Sequence, residues 1–311
     1  MSSQSESYIE IFNSIRFEKI IDHPNILIAA NFWDFDRYEA AKTCYRFMRA
    51  IDDMIDNHKA ENKIIAEHEK EQFVINVNDW IKTIVDSNDD NPLQKELLET
   101  IVKFKIPAWP LEAFAKSMIY DIHHDGFPTL ESFINYAEGA SVAPASIFVH
   151  LCGLTEENGQ FNSPVFDLKE VAMPCAIFSY LVHIIRDFQK DQLNNLNYFA
   201  DYLIERNGLT RQQLSDIAHG AAINSGFRNL MKEYYQLADK YRNKTCQVIR
   251  DISPYLGPRY QLSLDIVFNL YLMVFERINI EGGNFTGEEL NPTPKEVKER
   301  VYEIIMKFQP A

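Results

Sequence analysis

Two segments of the sequence place aspartates at helical spacing beside apolar residues, and this pattern constrains the fold more than any other feature. In the first segment, YRFMRAIDDMID, polar positions recur every three or four residues: Tyr45, Arg49, Asp52 and Asp56. At about 100° per residue, such positions lie on one narrow stripe of an α-helix. A parallel apolar stripe lies one position earlier: Cys44, Met48, Ile51 and Ile55. The segment therefore predicts a helix that faces a core and directs its carboxylates into a cavity.

The second segment, YLVHIIRDFQKD, repeats the pattern with His183, Asp187 and Asp191 at intervals of four residues. Its apolar face consists of Ile177, Leu181, Ile184 and Phe188. If the two helices face each other, four carboxylates come together, which is costly unless divalent cations lie between them. Carboxylate oxygens suit Mg²⁺, or Mn²⁺ in its place, and such ions bridge to phosphate oxygens. Asp53, about 100° from Asp52, contributes at the edge of this predicted metal site.

Plainer interpretations stand beside this one. A lone DDxxD segment is more often a solvated acidic face. The second aspartate pair, Asp187 and Asp191, is what favours a metal site here. Arg49 matches phosphate oxygens bidentately through its guanidinium, whereas a structural ion pair is the alternative. For His183 the residues leave three roles open: a place in the metal sphere, a hydrogen bond to a diphosphate, or a hydrogen-bonded core histidine.

Composition excludes several classes of partner. A formal net charge of −14 argues against nucleic acid and against a broad electrostatic grip on anionic lipid.

Four widely spaced cysteines without a CxxC pair predict reduced thiols in a cytoplasmic protein. The N-terminus has no apolar segment typical of a signal peptide, and the apolar run 171–185 is too short to span a bilayer. We therefore expect a buried helix there, and at most a peripheral membrane contact.

Helical periodicity dominates the chain, glycine is rare, and no linker or repeat divides it. We predict one all-α domain over residues 1–311, with an irregular arm and a terminal helix over 281–311. Predicted helices cover 6–21, 24–32, 34–56, 62–86, 92–104, 111–124, 129–152, 167–190, 198–206, 210–220, 223–250, 257–279 and 294–308. The sequence leaves the oligomeric state open.

Five motifs in order resemble the squalene/phytoene synthase family. YRFMRAIDDMID is similar to the family's Y-x-F-x-R-x-x-D-D-x-x-D, and HIIRDFQKD to its N-I-x-R-D-x-x-x-D. SMIYDI at 117–122 is similar to G-M-x-x-D-L. FPTLESFINY at 127–136 is similar to Y-x-T-x-x-E-L-x-x-Y, which ends on an active-site tyrosine, here Tyr136. NILIAA at 25–30 resembles the opening of squalene-forming members.

This resemblance implies an isoprenoid-synthase-type helical bundle around a central cavity. It also implies a transferase that ionises an allylic prenyl diphosphate, farnesyl diphosphate by expectation, and couples it head-to-head with a second one. Mg²⁺ is the implied cofactor, and the use of NADPH stays open. The implied site residues are Tyr45, Arg49, Tyr136, His183 and Arg186, together with the metal-binding aspartates Asp52, Asp53, Asp56, Asp187 and Asp191.

The chain departs from the family at defined positions. Tyr180 replaces a glutamine and His183 an asparagine in the second motif. Leu196 and Ala200 replace an arginine and a proline after Asp191, and that arginine helps to hold diphosphate in the family. Pro144 stands in a segment that carries a glycine bend in the family. These changes keep two alternatives open: a terpene synthase that consumes a single prenyl diphosphate, and a non-catalytic helical relative.

Overall fold

The computed structural model describes residues 3–18, 25–61, 65–86 and 92–311 of the chain. Helices dominate these residues, which confirms the all-α prediction. In chain order they are α1 (Ser3–Ser14), α2 (Asn25–Ala30), α3 (Phe35–Glu61), α4 (Glu67–Asp86), α5 (Pro92–Phe104), α6 (Trp109–His123), α7 (Leu130–Ala137), α8 (Ala143–Gly153), α9 (Leu168–Arg186), α10 (Phe188–Leu193), α11 (Asp201–Arg206), α12 (Arg211–Ala218), α13 (Ser225–Ile252), α14 (Pro258–Phe275), α15 (Gly287–Leu290) and α16 (Pro294–Lys307). That the chain forms a single domain stays a prediction.

Helix α9 lies at the centre of the bundle, where it packs against α8, α13 and α14. The Asp167 side chain caps it by accepting a hydrogen bond of 2.8 Å from the Glu170 amide, which satisfies one of the free N–H groups of the first turn. By length and mean hydropathy α9 alone among the described helices is apolar enough to cross a membrane, yet half of that stretch is buried inside the protein. Its packing agrees with the buried helix that the sequence predicts over 171–185.

The predicted continuous helix over 167–190 is broken at Asp187, whose backbone angles (φ −92°, ψ 3°) separate α9 from α10. Two backbone hydrogen bonds continue across the break: the Asp187 amide donates to the His183 carbonyl, and the Asp191 amide to the Asp187 carbonyl. His183, Asp187 and Asp191 therefore keep the spacing of successive helical turns. The break changes the helix direction without separating the second aspartate pair.

Between α7 and α8 the backbone forms a π-helical turn over Glu138–Val142. The Ala143 amide donates to the Glu138 carbonyl, five residues back, instead of four. Pro144, which has no N–H to donate, follows directly at the start of α8. The predicted helix over 129–152 is thus three joined segments, with the π-turn directly before Pro144.

A small antiparallel hairpin, β1 (Thr155–Glu157) and β2 (Gln160–Asn162), is absent from the sequence prediction. Its two-residue turn consists of Asn158 (φ 52°) and Gly159 (φ 76°). This left-handed pair matches the Asn-Gly turn that joins short strands, so the local signal was present in the sequence. Helical periodicity on both sides obscured it.

Several helix boundaries also differ from the prediction. Helix α1 ends at Ser14 rather than residue 21, and α14 ends at Phe275 rather than residue 279. Helix α3 continues to Glu61, while residues 62–64 and 19–24 lie outside the described part of the chain. Helix α11 begins only at Asp201, because Ala200 is extended and forms a parallel bridge with Phe127.

The predicted arm is irregular apart from the short helix α15. Arg228 fixes its start by donating to the Gly283 carbonyl at 3.2 Å. Thr293 caps α16, whose first residue is Pro294 as the sequence predicts. Helix α16 then packs against α14 and α1, so the arm returns the chain end to the bundle.

The π-turn crosses α6 at Gly139, where a Cβ atom would collide with the Ala113 carbonyl oxygen and with Ser117 Oγ. We expect Gly139→Ala to destabilise the fold by about 2 kcal/mol or more, because neither helix backbone can move aside without disturbing the core. Urea unfolding measures the change. Gly257→Ala is the matched control, since its added methyl meets nothing closer than 3.4 Å. Equal stability of the two variants would contradict this tight crossing.

Candidate active site

The two aspartate pairs line one cavity, which we call the polar mouth. Helix α3 forms one wall, and α9 with α10 forms another. The mouth has a volume of about 1230 Å³, including the part that is open to solvent. Its charged and polar lining residues are Tyr45, Arg49, Asp52, Asp56, Tyr136, Ser141, Ser179, Tyr180, His183, Asp187, Lys190, Asp191, Tyr198 and Tyr271. The four aspartates that the spacing assigned to one site thus share one cavity.

A second cavity, which we call the apolar chamber, adjoins the mouth. It has a volume of about 1160 Å³, including its opening, and aliphatic and aromatic side chains dominate its lining. The two cavities share wall residues: Tyr45, Met48, Ala140, Ser141, Pro144, Ser179 and Tyr271. A polar, carboxylate-lined cavity and an apolar cavity therefore lie side by side in the bundle.

Burial and mutual repulsion govern the first aspartate pair. Burial raises the pKa of Asp52 to about 6, although the neighbouring Arg49 charge opposes the rise. Burial together with the charges of Asp52 and Asp121 raises the pKa of Asp56 to about 7. Arg49 Nη1 donates to Asp52 Oδ2 at 2.8 Å and offers the pair partial compensation.

Asp53 lies apart from the mouth. Its side chain is 45% exposed and forms an ion pair with Arg49, and it does not line the cavity. Asp52 and Asp53 therefore divide one guanidinium between them. Asp53 is thus a neighbour of the mouth-lining Arg49, and its predicted contribution at the edge of a metal site stays a prediction.

The second pair is electrostatically asymmetric. Burial raises the pKa of Asp187, but the Arg186 guanidinium outweighs it through hydrogen bonds of 2.8 and 2.6 Å, so this pKa lies below the ordinary value. Asp191 has no such partner, and burial and the Asp187 and Asp56 charges raise its pKa to about 8. Arg186 itself does not line the mouth and acts on the site through Asp187.

The donor set fits divalent cations. All four aspartates present carboxylate oxygens, the ligands that Mg²⁺ prefers, and three of them have a raised pKa because negative charge is crowded and buried. Within the described ranges, no three His, Cys, Asp or Glu side chains converge on one point closely enough to hold an ion by themselves. Any ion held between these aspartates would need further oxygen ligands, from water or from a bound molecule, to complete its coordination shell.

Tyr136 and His183 occupy the wall of the mouth. Tyr136 is buried, and the Ser117 hydroxyl donates to its carbonyl at 2.8 Å. His183 packs against the Tyr271 ring with centroids 5.1 Å apart. Burial and the Arg186 charge lower the pKa of His183 to about 3, so its imidazole is neutral. Its Nε2 atom is buried and has no hydrogen-bond partner among the described residues.

Sequence reasoning missed a buried ion pair beside the mouth. Lys59 Nζ donates to Asp121 Oδ1 at 2.9 Å, and both residues are less than a tenth exposed. The Asp121 charge contributes to the raised pKa of both Asp52 and Asp56. The available signal was the position of Lys59, one turn beyond Asp56 on the same stripe.

Aromatic rings form the remaining wall. The Tyr180 ring lies 5.4 Å from that of Phe133, 6.3 Å from that of Tyr136 and 6.1 Å from that of Tyr198. Burial raises the pKa of Tyr136, Tyr180 and Tyr198 well above the usual value, so these phenols stay neutral.

The family model for squalene/phytoene synthase matches residues 25–297. A dehydrosqualene synthase, whose crystal structure was determined with a ligand, superposes with a TM-score of 0.67 at 14% identity over 97% of this chain and 99% of its own. The squalene synthase HpnC from Alicyclobacillus acidocaldarius gives 0.64 at 12% identity over 89% and 94%. YisP from Bacillus subtilis gives 0.58 at 15% identity over 96% and 98%. No protein of curated function matches the sequence significantly.

The raised pKa of Asp191 predicts a pH-dependent instability in metal-free buffer. The Asp191 carboxyl has a pKa of about 8 in the folded state and of 3.8 in the unfolded state. Between these two pH values the unfolded state ionises more readily, so the free energy of unfolding falls as the pH rises. We expect Asp191→Asn to raise the free energy of unfolding by about 1 kcal/mol or more at pH 8 and to change little at pH 4. Denaturant unfolding in the presence of chelator measures both.

Asp187→Asn is the matched comparison and should act in the opposite direction. The lowered pKa of Asp187 means that its ionised form stabilises the fold through Arg186. This variant should therefore lose stability at pH 8. The same sign of change for both variants would contradict the asymmetry of the pair.

Proposed function

Because the chain belongs to the squalene/phytoene synthase family, we propose that it is a Mg²⁺-dependent prenyltransferase that ionises an allylic prenyl diphosphate and couples it head-to-head with a second one. Farnesyl diphosphate is the substrate that we expect. The observation that carries the proposal is the adjacency of the two cavities: a mouth lined by four aspartates shares seven wall residues with an apolar chamber. This arrangement matches the two ends of a prenyl diphosphate.

In this proposal Asp52, Asp56, Asp187 and Asp191 hold Mg²⁺, or Mn²⁺ in its place. When bound, the ions neutralise the diphosphate and make it a better leaving group. Arg49 completes the grip, since a guanidinium donates to phosphate oxygens in a fixed geometry. Arg186 orients Asp187 by binding both of its oxygens. Arg49 and Lys190 are the two cationic side chains that line the mouth within the described part of the chain.

The reaction begins when the bond between C1 and the diphosphate oxygen breaks, and the electron pair leaves with the diphosphate. The double bond of the second substrate then attacks C1 of the allylic cation. This leaves a tertiary cation; a C1–H bond then breaks, its electron pair closes the three-membered ring, and the proton passes to the released diphosphate, which gives a cyclopropylcarbinyl diphosphate. The chamber excludes water from the cation, while the Tyr45 and Tyr271 rings offer π faces that stabilise positive charge without forming bonds to it.

A second candidate is a terpene synthase that consumes one prenyl diphosphate, and two observations favour it. Tyr180 fills wall space among three aromatic rings where the family carries a glutamine. Leu196, in place of the family's arginine, supplies no charge for a further diphosphate. With four carboxylates and only Arg49 and Lys190 lining the mouth, each additional diphosphate must be balanced by metal ions.

We expect diphosphate release from farnesyl diphosphate to require Mg²⁺ or Mn²⁺. It should fall at least about 100-fold in Asp52→Ala and in Asp187→Ala, because each substitution removes an oxygen ligand from the leaving-group site. A coupled pyrophosphate assay measures the rate, and circular dichroism confirms folding. Asp36→Ala, on the same helix but paired with Lys103 far from the mouth, is the control and should keep its activity. Full wild-type activity in excess chelator would contradict the metal role, and inactivity of the wild type under all conditions would favour a non-catalytic relative.

Product analysis decides between the two candidates. If two substrates couple, mass spectrometry with Mg²⁺, with and without NADPH, should detect a thirty-carbon product. The double variant Tyr180→Gln and Leu196→Arg should raise its share severalfold by restoring the family's amide and cation. A fifteen-carbon product alone, unchanged in the double variant, would establish the single-substrate alternative.

A further inference from the structure

The buried pair of Lys59 and Asp121 lies at the edge of the proposed metal site. On α3, Lys59 continues the stripe of Tyr45, Arg49, Asp52 and Asp56 by one further turn. It is 7% exposed, and its ammonium donates at 2.9 Å both to Asp121 Oδ1 and to the His124 carbonyl. A fixed cation therefore lies directly beyond the first aspartate pair.

Asp121 is a fifth carboxylate of this region. It is 8% exposed and does not line the mouth, and its partner Lys59 lies one helical turn beyond Asp56 on α3. A buried carboxylate next to others needs a positive partner, which is either a side chain or a metal ion. A lysine ammonium is a compact point charge that satisfies this need without a coordination shell.

We propose that Lys59 is a resident cation of the active site, whose ammonium takes the place that a divalent cation would otherwise take between Asp121 and the first aspartate pair. It is a positioning residue, because it does not line the mouth and acts through Asp121 and Asp56. Lys59 thereby limits the number of metal ions that the first pair recruits and keeps one positive charge in place at every metal concentration.

This inference rests on the proposed metal-binding role of the aspartates, and it is tested without turnover. Binding of Mn²⁺ is counted by electron paramagnetic resonance in wild type, Lys59→Met, and the double variant Lys59→Met with Asp121→Asn. Lys59→Met should bind one Mn²⁺ more per chain than wild type, or bind its tightest ion about tenfold more tightly, because Asp121 becomes free to accept a metal. The double variant should return to the wild-type count.

Thermal unfolding supplies the second measurement. Without metal, Lys59→Met should melt well below wild type, since Asp121 is left buried without a partner. Added Mn²⁺ should raise its melting temperature more than that of wild type or of the double variant. Lys42→Met, which removes a partly exposed lysine paired with Glu39 on the same helix, is the matched control and should respond like wild type.

Each outcome decides the inference. An unchanged Mn²⁺ count with equal metal responses in Lys59→Met and wild type would overturn it and leave a purely structural ion pair. Failure of Lys59→Met to fold even with Mn²⁺ would also overturn it, because no metal ion could then replace the ammonium. Failure of the proposed function gives a different result: wild type would bind no Mn²⁺ and release no diphosphate. The Mn²⁺ count and melting temperature of Lys59→Met would still be compared with those of wild type.

Discussion

The repulsion between buried carboxylates is the constraint on which the rest of this structure depends. Four aspartates line one cavity, and burial raises the pKa of three of them even though Arg49 pairs with Asp52. Only Asp187 keeps a lowered pKa, because Arg186 binds it through two hydrogen bonds. Such a site is incomplete as a set of side chains. Binding of positive charge and of further oxygen ligands would lower the free energy of this site. In the proposed function a metal-bound diphosphate supplies both.

Local periodicity made much of the fold predictable. The matched stripes on α3 and α9 identified helices that are amphipathic towards a cavity, and the all-α bundle followed from the same pattern elsewhere. Deviations arose where tertiary contacts or turn chemistry override periodicity. The break at Asp187 and the late start of α11 at Asp201 are examples, and the second depends on a bridge between Phe127 and Ala200 that no local signal encodes.

Sequence spacing predicted which site residues share one face of a helix, but it could not predict the contacts between side chains. Spacing placed Asp52 and Asp56 on one stripe, but it could not show that Asp53 pairs with Arg49 and is not a lining residue of the mouth. The contact between Lys59 and Asp121 joins residues 62 positions apart, so no periodicity in either helix predicts it. Long-range pairing of charges requires the packed structure, because it depends on how helices approach one another rather than on what each one presents.

The π-turn over Glu138–Val142 has an evolutionary consequence. Such a turn accommodates one residue more than an α-helix would. Tyr136 before it faces the polar mouth, and Phe148 after it faces the apolar chamber. Losing one residue here would restore regular hydrogen bonding and rotate α8 by about 100° against α7. A single codon deletion could thus exchange the α8 side chains that face the apolar chamber while leaving the four aspartates on α3, α9 and α10 in place.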